Sequence, residues 1–510
     1  MRATKPRTIV IGAGIGGLAA ALRLCAAGHA VTVLERHSQV GGKMRTMPSA
    51  AGPVDAGPTV MTMRPVFEDL FAAAGHRLED HVTLHAQSTL ARHYWSDGSS
   101  LDLFADASRS RDAIAGLCGV KDAQAFETMS RDAARMFDAF EGPMIQAPAP
   151  SQLALTKRVL QQPSLIAAMK PLASLAKSLS RQFSDPRLRQ LFGRYATYVG
   201  GSPYHSPALL SLIWHVESSG VWVVEGGLHK LAEAIANLIR DLGGEIMLGC
   251  GVERLEYQDN ALRGVVCDDG SRIAAQTVVF NGDPRALRTG LMGPASQNAV
   301  PQSATEPRSL SAYVWSFAAK PEGVPLVHHN VFFADAEAAE FGALSHGHMP
   351  TDATLYLCAQ DRGDTGRSGD GPERFEIIMN GAPHTGETPQ QEFDICQTQT
   401  FNRLSQMGLH FDARPGPSAL TTPQGFEALF PGSAGSLYGR SPHGLTAGLK
   451  RPLARTAIPG LYLVGGGAHP GAGIPMATLS AKHAVGAILS DQTSTSLSPK
   501  TATRGGMSTA

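Results

Sequence analysis

The sequence predicts an α/β protein, α+β overall, from three observations. An apolar strand, a glycine run and a helix open the chain. The same succession closes it, and between the two lies a stretch with the alternation of an antiparallel hairpin. At 510 residues the chain exceeds what one hydrophobic core organises, so two or more domains are expected.

Residues 8–45 read TIVIGAGIGGLAAALRLCAAGHAVTVLERHSQVGGKMR. A strand over 8–11 runs into Gly12, Gly14 and Gly17, which fit GxGxxG. In that pattern the first glycine makes the tight turn, the second lets the backbone approach a pyrophosphate, and the third lets the helix lie close on the sheet. The helix over 18–27 stops at Gly28, and its N-terminus offers free N–H groups to phosphates. A second strand over 30–34 ends at Glu35, 18 residues past Gly17, where a dinucleotide needs an acceptor for its ribose hydroxyls. NAD and FAD both fit this unit. The Gly41-Gly42-Lys43-Met44-Arg45 run resembles the glycine doublet of amine-oxidase-like and carotenoid-desaturase-like flavoproteins, which favours FAD.

The composition is globular, 43% hydrophobic and 17% charged, and a net charge of zero argues against a nucleic-acid partner. The cysteines at 25, 118, 250, 267, 358 and 396 are scattered without a CxxC pair. Neither a metal site nor a disulfide framework is expected, and a reducing cytosol fits. No signal peptide and no uncharged apolar run of about 18 residues is present, so no transmembrane helix is expected.

In chain order, residues 46–65 form a Gly/Pro-rich connection. Residues 89–104 alternate around a turn at Asp97-Gly98 and read as a hairpin of an antiparallel sheet, hence of a second domain. Residues 111–140 are helical by pattern. The stretch 151–182 has no acidic residue; Lys157, Arg158, Lys170, Lys177 and Arg181 interleave with leucines, and Pro163 and Pro171 divide it into short helices. Such helices fit a lipid interface, and they fit equally a packed face with a solvated basic side. An aromatic run with Tyr195, Tyr198, Trp214 and Trp222 follows. Residues 230–242 are a helix, and the strands over 245–248, 252–257, 262–267 and 272–280 suggest a return to the nucleotide domain. Residues 311–318, 354–359 and 374–380 are strand-like, and the Ser/Thr-rich tail after Asp491 is expected to be disordered.

The closing run GLYLVGGGAHPGAGIPM, residues 460–476, leads into an apolar helix over 477–489, with Pro475 in a first-turn position. It resembles the C-terminal signature of the bacterial carotenoid (phytoene) desaturases. The Glu225-Gly226-Gly227 turn and the GVVCDDG strand at 264–270 resemble that family too, and the likeness spans nearly the whole chain. Residues 194–231 most resemble its hydroxyneurosporene desaturase branch, which introduces the 3,4 double bond into 1-hydroxylated acyclic carotenoids. Gly466 and Met476 depart from the family, where alanine and glycine are frequent.

The resemblance implies a split Rossmann-like FAD-binding domain (1–80, 221–290 and 456–490) and an inserted substrate domain (81–220 and 291–455) with antiparallel sheet and helices, before a tail over 491–510. By motif match, Gly12, Ala13, Gly14, Gly17, Glu35, Arg36, Gly41, Gly42 and Lys43 contact FAD, Val252 lies beside the adenine, and Gly466, Gly473, Ile474 and Pro475 line the flavin. Tyr195, Tyr198, Trp214 and Trp222 are candidates for a substrate channel, their ring faces suited to a cationic intermediate. No residue pattern identifies a proton acceptor. The implied enzyme dehydrogenates C3–C4 of an acyclic carotenoid, passes electrons to oxygen or a quinone, and sits peripherally on the cytoplasmic side of a membrane. Phytoene desaturation, carotenoid isomerisation, amine oxidation and a non-catalytic isoprenoid-binding protein like the GDP-dissociation inhibitors are the competing expectations.

Overall fold

The computed structural model of the chain describes residues 6–258, 261–363, 366–367, 370–383 and 392–497. The opening strand, Arg7–Ile11, is the middle of a five-stranded sheet. Its order is Leu461–Leu463, Thr277–Phe280, Arg7–Ile11, Ala30–Glu35, Glu245–Leu248, and every neighbouring pair is parallel. Parallel strands covered on both faces read as continuous apolar runs, as TIVI and VTVL do here. Val10, Val31, Val33 and Val279 face a helical layer made by Ile15–Ala26, His229–Asp241 and the closing helix Ile474–Leu497. Ile9, Leu34, Val278 and Leu463 face a three-stranded antiparallel sheet, Val252–Gln258, Ala261–Cys267 and Arg272–Ala274. The parallel sheet thus draws its strands from three distant stretches of chain.

A seven-stranded sheet forms the other half of the molecule. Its order is Leu420–Thr421, Ser311–Ala319, Glu373–Gly381, Leu355–Ala359, His329–Phe332, Thr89–Tyr94, Ser100–Phe104. All neighbours are antiparallel except His329–Phe332 with Thr89–Tyr94. The hairpin expected over 89–104 is its edge, turning at Gly98 with φ +80°. Trp315, Phe317, Leu357, Phe375 and Ile377 bury one face under the helix Glu392–Gln406. The opposite, inner face carries Val331, which shares a core with Phe192, Tyr195 and Trp214.

Several elements differ from the sequence reading. The helix expected over 111–140 is two, Ala107–Cys118 and Val120–Phe140, separated by Gly119 at φ +89°. The strand His329–Phe332 was not foreseen, because its four residues, HNVF, follow a Pro-containing stretch and are too few to show a period. The closing helix starts at Ile474 and runs to Leu497, six residues into the tail expected to be disordered; the rest of that tail lies outside the described residues. The basic segment does divide at its prolines, into Gln152–Gln161, Ser164–Met169 and Leu175–Gln182. Its packing is divided. Leu165, Leu175 and Leu179 are buried and Leu155 and Val159 half-buried, while Leu153, Leu160 and Leu172 point outward at 80%, 71% and 97% exposure.

Candidate active site

The opening and closing glycine motifs meet at one point. A Cβ on Gly17 would lie 2.1 Å from the Gly12 carbonyl oxygen, so only glycine lets the helix sit this close to the strand. A Cβ on Gly16 would lie 2.7 Å from the backbone of Gly465, so the closing motif rests directly on the opening helix. Asn281 fills the space between them: its backbone N–H donates to Ile11 O at 2.9 Å and its side-chain amide to Gly12 O at 3.2 Å. No motif in the sequence singles out Asn281. Its role arises from parallel pairing with the first strand, which no local pattern reveals.

The remaining expected cofactor residues surround this junction. Gly14 starts the helix, and no side chain caps that end among the described residues. Gly41 N donates to Ala13 O at 2.8 Å, and a Cβ on Gly42 would stand 2.9 Å from Gly14 Cα. Glu35 is buried; its two oxygens accept from Ala13 N at 2.7 Å and His37 N at 2.9 Å, and each keeps a lone pair. Arg36 is exposed, and half-buried Val252 opens the next strand. Burial brings the Lys43 ammonium down to about 8, and it donates to Leu437 O at 2.6 Å. A Cβ on Gly466 or Gly473 would meet nothing closer than 3.8 or 3.9 Å, so both border open space, while Ile474 and Pro475 are buried at the start of the closing helix.

Two further cations were not anticipated. Arg451, lowered to about 10 by burial, donates to Gly466 O at 2.7 Å and Tyr438 O at 2.9 Å. Arg308 pairs with Asp283 at 2.5 Å. An uncapped helix end, backbones in near contact, buried positive charge and an acceptor at the second strand together fit the pyrophosphate and ribose of a dinucleotide. The open space at Gly466 and Gly473 fits its flavin. The residues present therefore fit FAD.

Beside this junction, the inner face of the seven-stranded sheet carries a polar row. In register, Ser316 pairs with Glu376, Glu376 with Cys358, and Cys358 with His329, so these four lie side by side on successive strands. All are buried. Burial, opposed by nearby Arg45, raises the Glu376 carboxyl well above the usual carboxylate range. Tyr356 OH bonds Thr59 Oγ1 and His329 Nδ1, both at 2.7 Å. His328 bonds Arg362 O through Nδ1 at 2.6 Å and lies 3.4 Å from Cys358 Sγ through Nε2. No metal cluster was expected from the sequence, yet His328, His329 and Cys358 place their ligand atoms within 4.8 Å of one another.

The four aromatic candidates divide. Tyr195 and Tyr198 stand beside Arg194, whose guanidinium lies 4.8 Å over the Tyr198 ring, and both approach buried Glu217. Trp214 is packed among Phe126 and Phe192 and donates to Ser130 Oγ at 2.8 Å. Trp222 is half-buried, its ring folded over Gly220. A cavity of about 540 Å³ lies between Gly226–Leu228, Asp55, Thr59, His328 and Cys358; Asp361, Arg362 and Arg374 make its wall too polar for a polyene channel. Asp55 accepts from Leu228 N at 2.5 Å and thereby holds the Gly226-Gly227 turn against the site.

A family model for flavin containing amine oxidoreductase matches residues 15–489. A solved oxidoreductase from Methanosarcina mazei has the same fold, with a TM-score of 0.59 and 16% identity over 95% of this chain and 100% of that one. The chain belongs to the flavin-containing amine oxidoreductase family: it is an oxidoreductase, and its cofactor is FAD. Hydroxyneurosporene desaturase of Cereibacter sphaeroides is 53% identical over 97% of this chain and 100% of its own length. Hydroxyneurosporene desaturase of Rhodobacter capsulatus is 46% identical over 95% and 98%. Within the family, the chain groups with the hydroxyneurosporene desaturases.

Proposed function

We propose that the chain dehydrogenates the C3–C4 bond of a 1-hydroxylated acyclic carotenoid such as 1-hydroxyneurosporene. The observation carrying this reading is full-length identity near half to proteins named for that reaction. The junction of the two glycine motifs supports it by providing for FAD at the edge of a buried sheet face.

In this reading Gly12, Ala13, Gly14 and Gly17 hold the pyrophosphate at the helix N-terminus, with Gly41, Gly42 and Lys43 closing over it. Glu35 takes the ribose hydroxyls through its spare lone pairs, with Arg36 at the same strand end and Val252 beside the adenine. Gly466, Gly473, Ile474 and Pro475 border the flavin. Bound FAD supplies an acceptor for hydride from the polyene. The protein contributes orientation and exclusion of water, because a cation left on a conjugated chain is delocalised without help. Tyr195, Tyr198 and Trp222 are proposed to line the route to the flavin; Trp214 supports them from the core. The FAD domain comprises 1–80, 221–290 and 456–490, and 81–220 with 291–455 form the substrate domain. Oxygen or a quinone reoxidises the flavin.

The enzyme works from the cytoplasmic surface of a membrane, where a carotenoid resides. Exposed Leu153, Leu160 and Leu172 beside Lys157, Arg158 and Lys177 support this. No helix among the described residues is long and apolar enough to cross a membrane.

The test supplies phytoene, neurosporene and 1-hydroxyneurosporene separately to the flavin-loaded protein and follows new double bonds by absorbance and mass. Conversion of the hydroxylated substrate is expected. Efficient conversion of phytoene with none of the hydroxylated substrate would remove the substrate assignment and leave a flavin desaturase.

A further inference from the structure

Dehydrogenation at C3–C4 of a 1-hydroxylated chain places the alcohol oxygen only a few bonds from the reacting carbons. Whatever holds that oxygen must therefore stand close to the cofactor junction. We propose that Nε2 of His329 is the hydrogen-bonding anchor for the tertiary alcohol of the substrate, oriented by Tyr356 and Thr59 and backed by Arg194 and Glu217. This rests on the carotenoid reading above and names the residue that would give it its substrate preference.

His329 is 2% exposed, and its Nε2 has no hydrogen-bond partner among the described residues. A buried ring nitrogen without a partner is costly, and it persists where another molecule completes the bond. Its Nδ1 is fixed by Tyr356 OH, which is itself tied to Thr59 Oγ1. Thr59 lies two residues past Gly57, where a Cβ would stand 1.8 Å from the Lys43 carbonyl oxygen. Two hydrogen bonds and a close backbone contact thus connect the anchor to the glycine-doublet loop.

Arg194, close enough to act on the His329 ring, comes from the segment whose sequence resembles the hydroxycarotenoid branch. Arg194 Nε, Tyr195 OH and Glu217 Oε2 are buried there without well-formed partners among the described residues. Burial, with Arg194 and His328 nearby, keeps the His329 ring neutral. A neutral imidazole has one donor and one acceptor nitrogen, and an alcohol can complete either. An end group lacking oxygen leaves the whole set unpaired, the arrangement that discriminates most strongly against an analogue.

The experiment uses full-length, flavin-loaded protein and three variants, His329→Leu, His329→Gln and Tyr356→Phe, each first checked for flavin content and circular dichroism. Affinity for 1-hydroxyneurosporene and for neurosporene is read by fluorescence quenching, and kcat/KM is measured for both. Wild-type protein is expected to prefer the hydroxylated carotenoid by at least about tenfold. His329→Leu should weaken binding of that carotenoid by about 10- to 100-fold and leave neurosporene unchanged. His329→Gln, with an amide near the Nε2 position, should recover part of the loss. Tyr356→Phe, which disturbs the fold least, should lose about threefold to tenfold for the hydroxylated carotenoid alone. Equal losses for both carotenoids, or an undiminished preference in His329→Leu and Tyr356→Phe, would overturn the anchor. So would a stoichiometric transition metal that His329→Leu releases, since it would make His329 a ligand with His328 and Cys358. A wild-type protein with no preference for the hydroxylated carotenoid refutes the substrate reading itself, before any variant is compared.

Discussion

The cofactor junction and the polar row on the seven-stranded sheet use opposite means. At the junction the working parts are backbone: Gly12, Gly14, Gly16, Gly17, Gly42 and Gly465 approach one another so closely that side chains are excluded. On the sheet the working parts are side chains, buried and polar, from residues as far apart as Thr59, Glu217, His329 and Glu376. The first region therefore tolerates almost no added atom. The second should tolerate changes of shape better than changes in hydrogen bonding or charge. Substitutions in both regions test that difference.

The largest effect is expected at Gly17. Even alanine places a carbon 2.1 Å from a backbone oxygen that cannot move without breaking the central strand. Gly17→Ala should lose bound FAD, visible as loss of flavin absorbance in the purified protein. It should also destabilise the fold by about 4 kcal/mol or more in urea unfolding, the range reserved for forced backbone clashes. Full flavin occupancy in this variant would show that the junction is looser than its packing indicates. Gly14→Val should empty the site as well, since its Cβ would lie 2.9 Å from Asn281 Nδ2 where the phosphates are expected.

That contrast also explains what was legible in the chain itself. A glycine needed for close approach leaves a spacing, so GxGxxG, the 41–42 doublet and the closing run announced the junction before any coordinates. Asn281, Arg308 and Arg451 belong to the same site and left no such mark, because each reaches it by pairing with a distant strand or loop. The polar row is harder still. Ser316, Glu376, Cys358 and His329 are neighbours only through strand register, and one of the four strands is too short to be seen as a period. Tyr195, Tyr198, Trp214 and Trp222 looked alike as aromatics in one stretch. Three-dimensional packing separates Trp214, which has a core partner at Ser130, from the tyrosines beside Arg194.

A smaller effect should come from a charge beside the seven-stranded sheet. Glu340, on the helix Glu337–Ser345, accepts from Thr354 N at 3.1 Å and Asn380 Nδ2 at 3.0 Å. Burial nevertheless raises its carboxyl to about 7, and nearby Asp352 adds to the rise. A raised carboxyl means that the folded state binds its proton more tightly than the unfolded state. The associated stability is complete below the ordinary carboxylate range and is lost as pH rises through about 7. Glu340 alone should therefore weaken the wild-type protein by about 2–3 kcal/mol between pH 5 and pH 8. Glu340→Gln should remove only that share of the slope and leave the larger share due to Glu337, which burial raises further, to about 8. Urea midpoints measured across this range check it; parallel slopes for variant and wild type would mean that Glu340 does not titrate there.

The surface of the basic segment 151–182 provides the next test. Leu153, Leu160 and Leu172 are exposed without a packing role, whereas Lys170 turns inward to Ser178 and Gln182, at 3.0 Å each. Replacing the three leucines by serine should weaken flotation with anionic vesicles by about tenfold to hundredfold at any salt, since each inserted leucine is worth about 1 kcal/mol or more. Exchanging Lys157, Arg158 and Lys177 for glutamine should remove the salt-sensitive remainder, about 1 kcal/mol per cation. Lys170→Gln should leave flotation unchanged. Vesicle binding indifferent to all of these would return the segment to a role in packing alone.

The smallest effect is expected at Trp214, and it asks whether an aromatic proposed for the substrate route can be purely structural. Its ring is 1% exposed and stands between Phe126 and Phe192, with its indole N–H spent on Ser130 Oγ. Phenylalanine keeps much of that packing and removes the hydrogen bond. Trp214→Phe should therefore cost about 1–2 kcal/mol of stability, from one lost hydrogen bond and a partly filled ring volume. Because Ser130 can rotate to another partner, the loss should fall at the lower end. Affinity for the carotenoid should stay within about twofold of wild type, in contrast to the loss expected for Tyr356→Phe, which removes no more than one oxygen atom. A variant as stable as wild type but deficient in carotenoid binding would place Trp214 in the channel, and the division between core and substrate-facing aromatics would have to be redrawn around it.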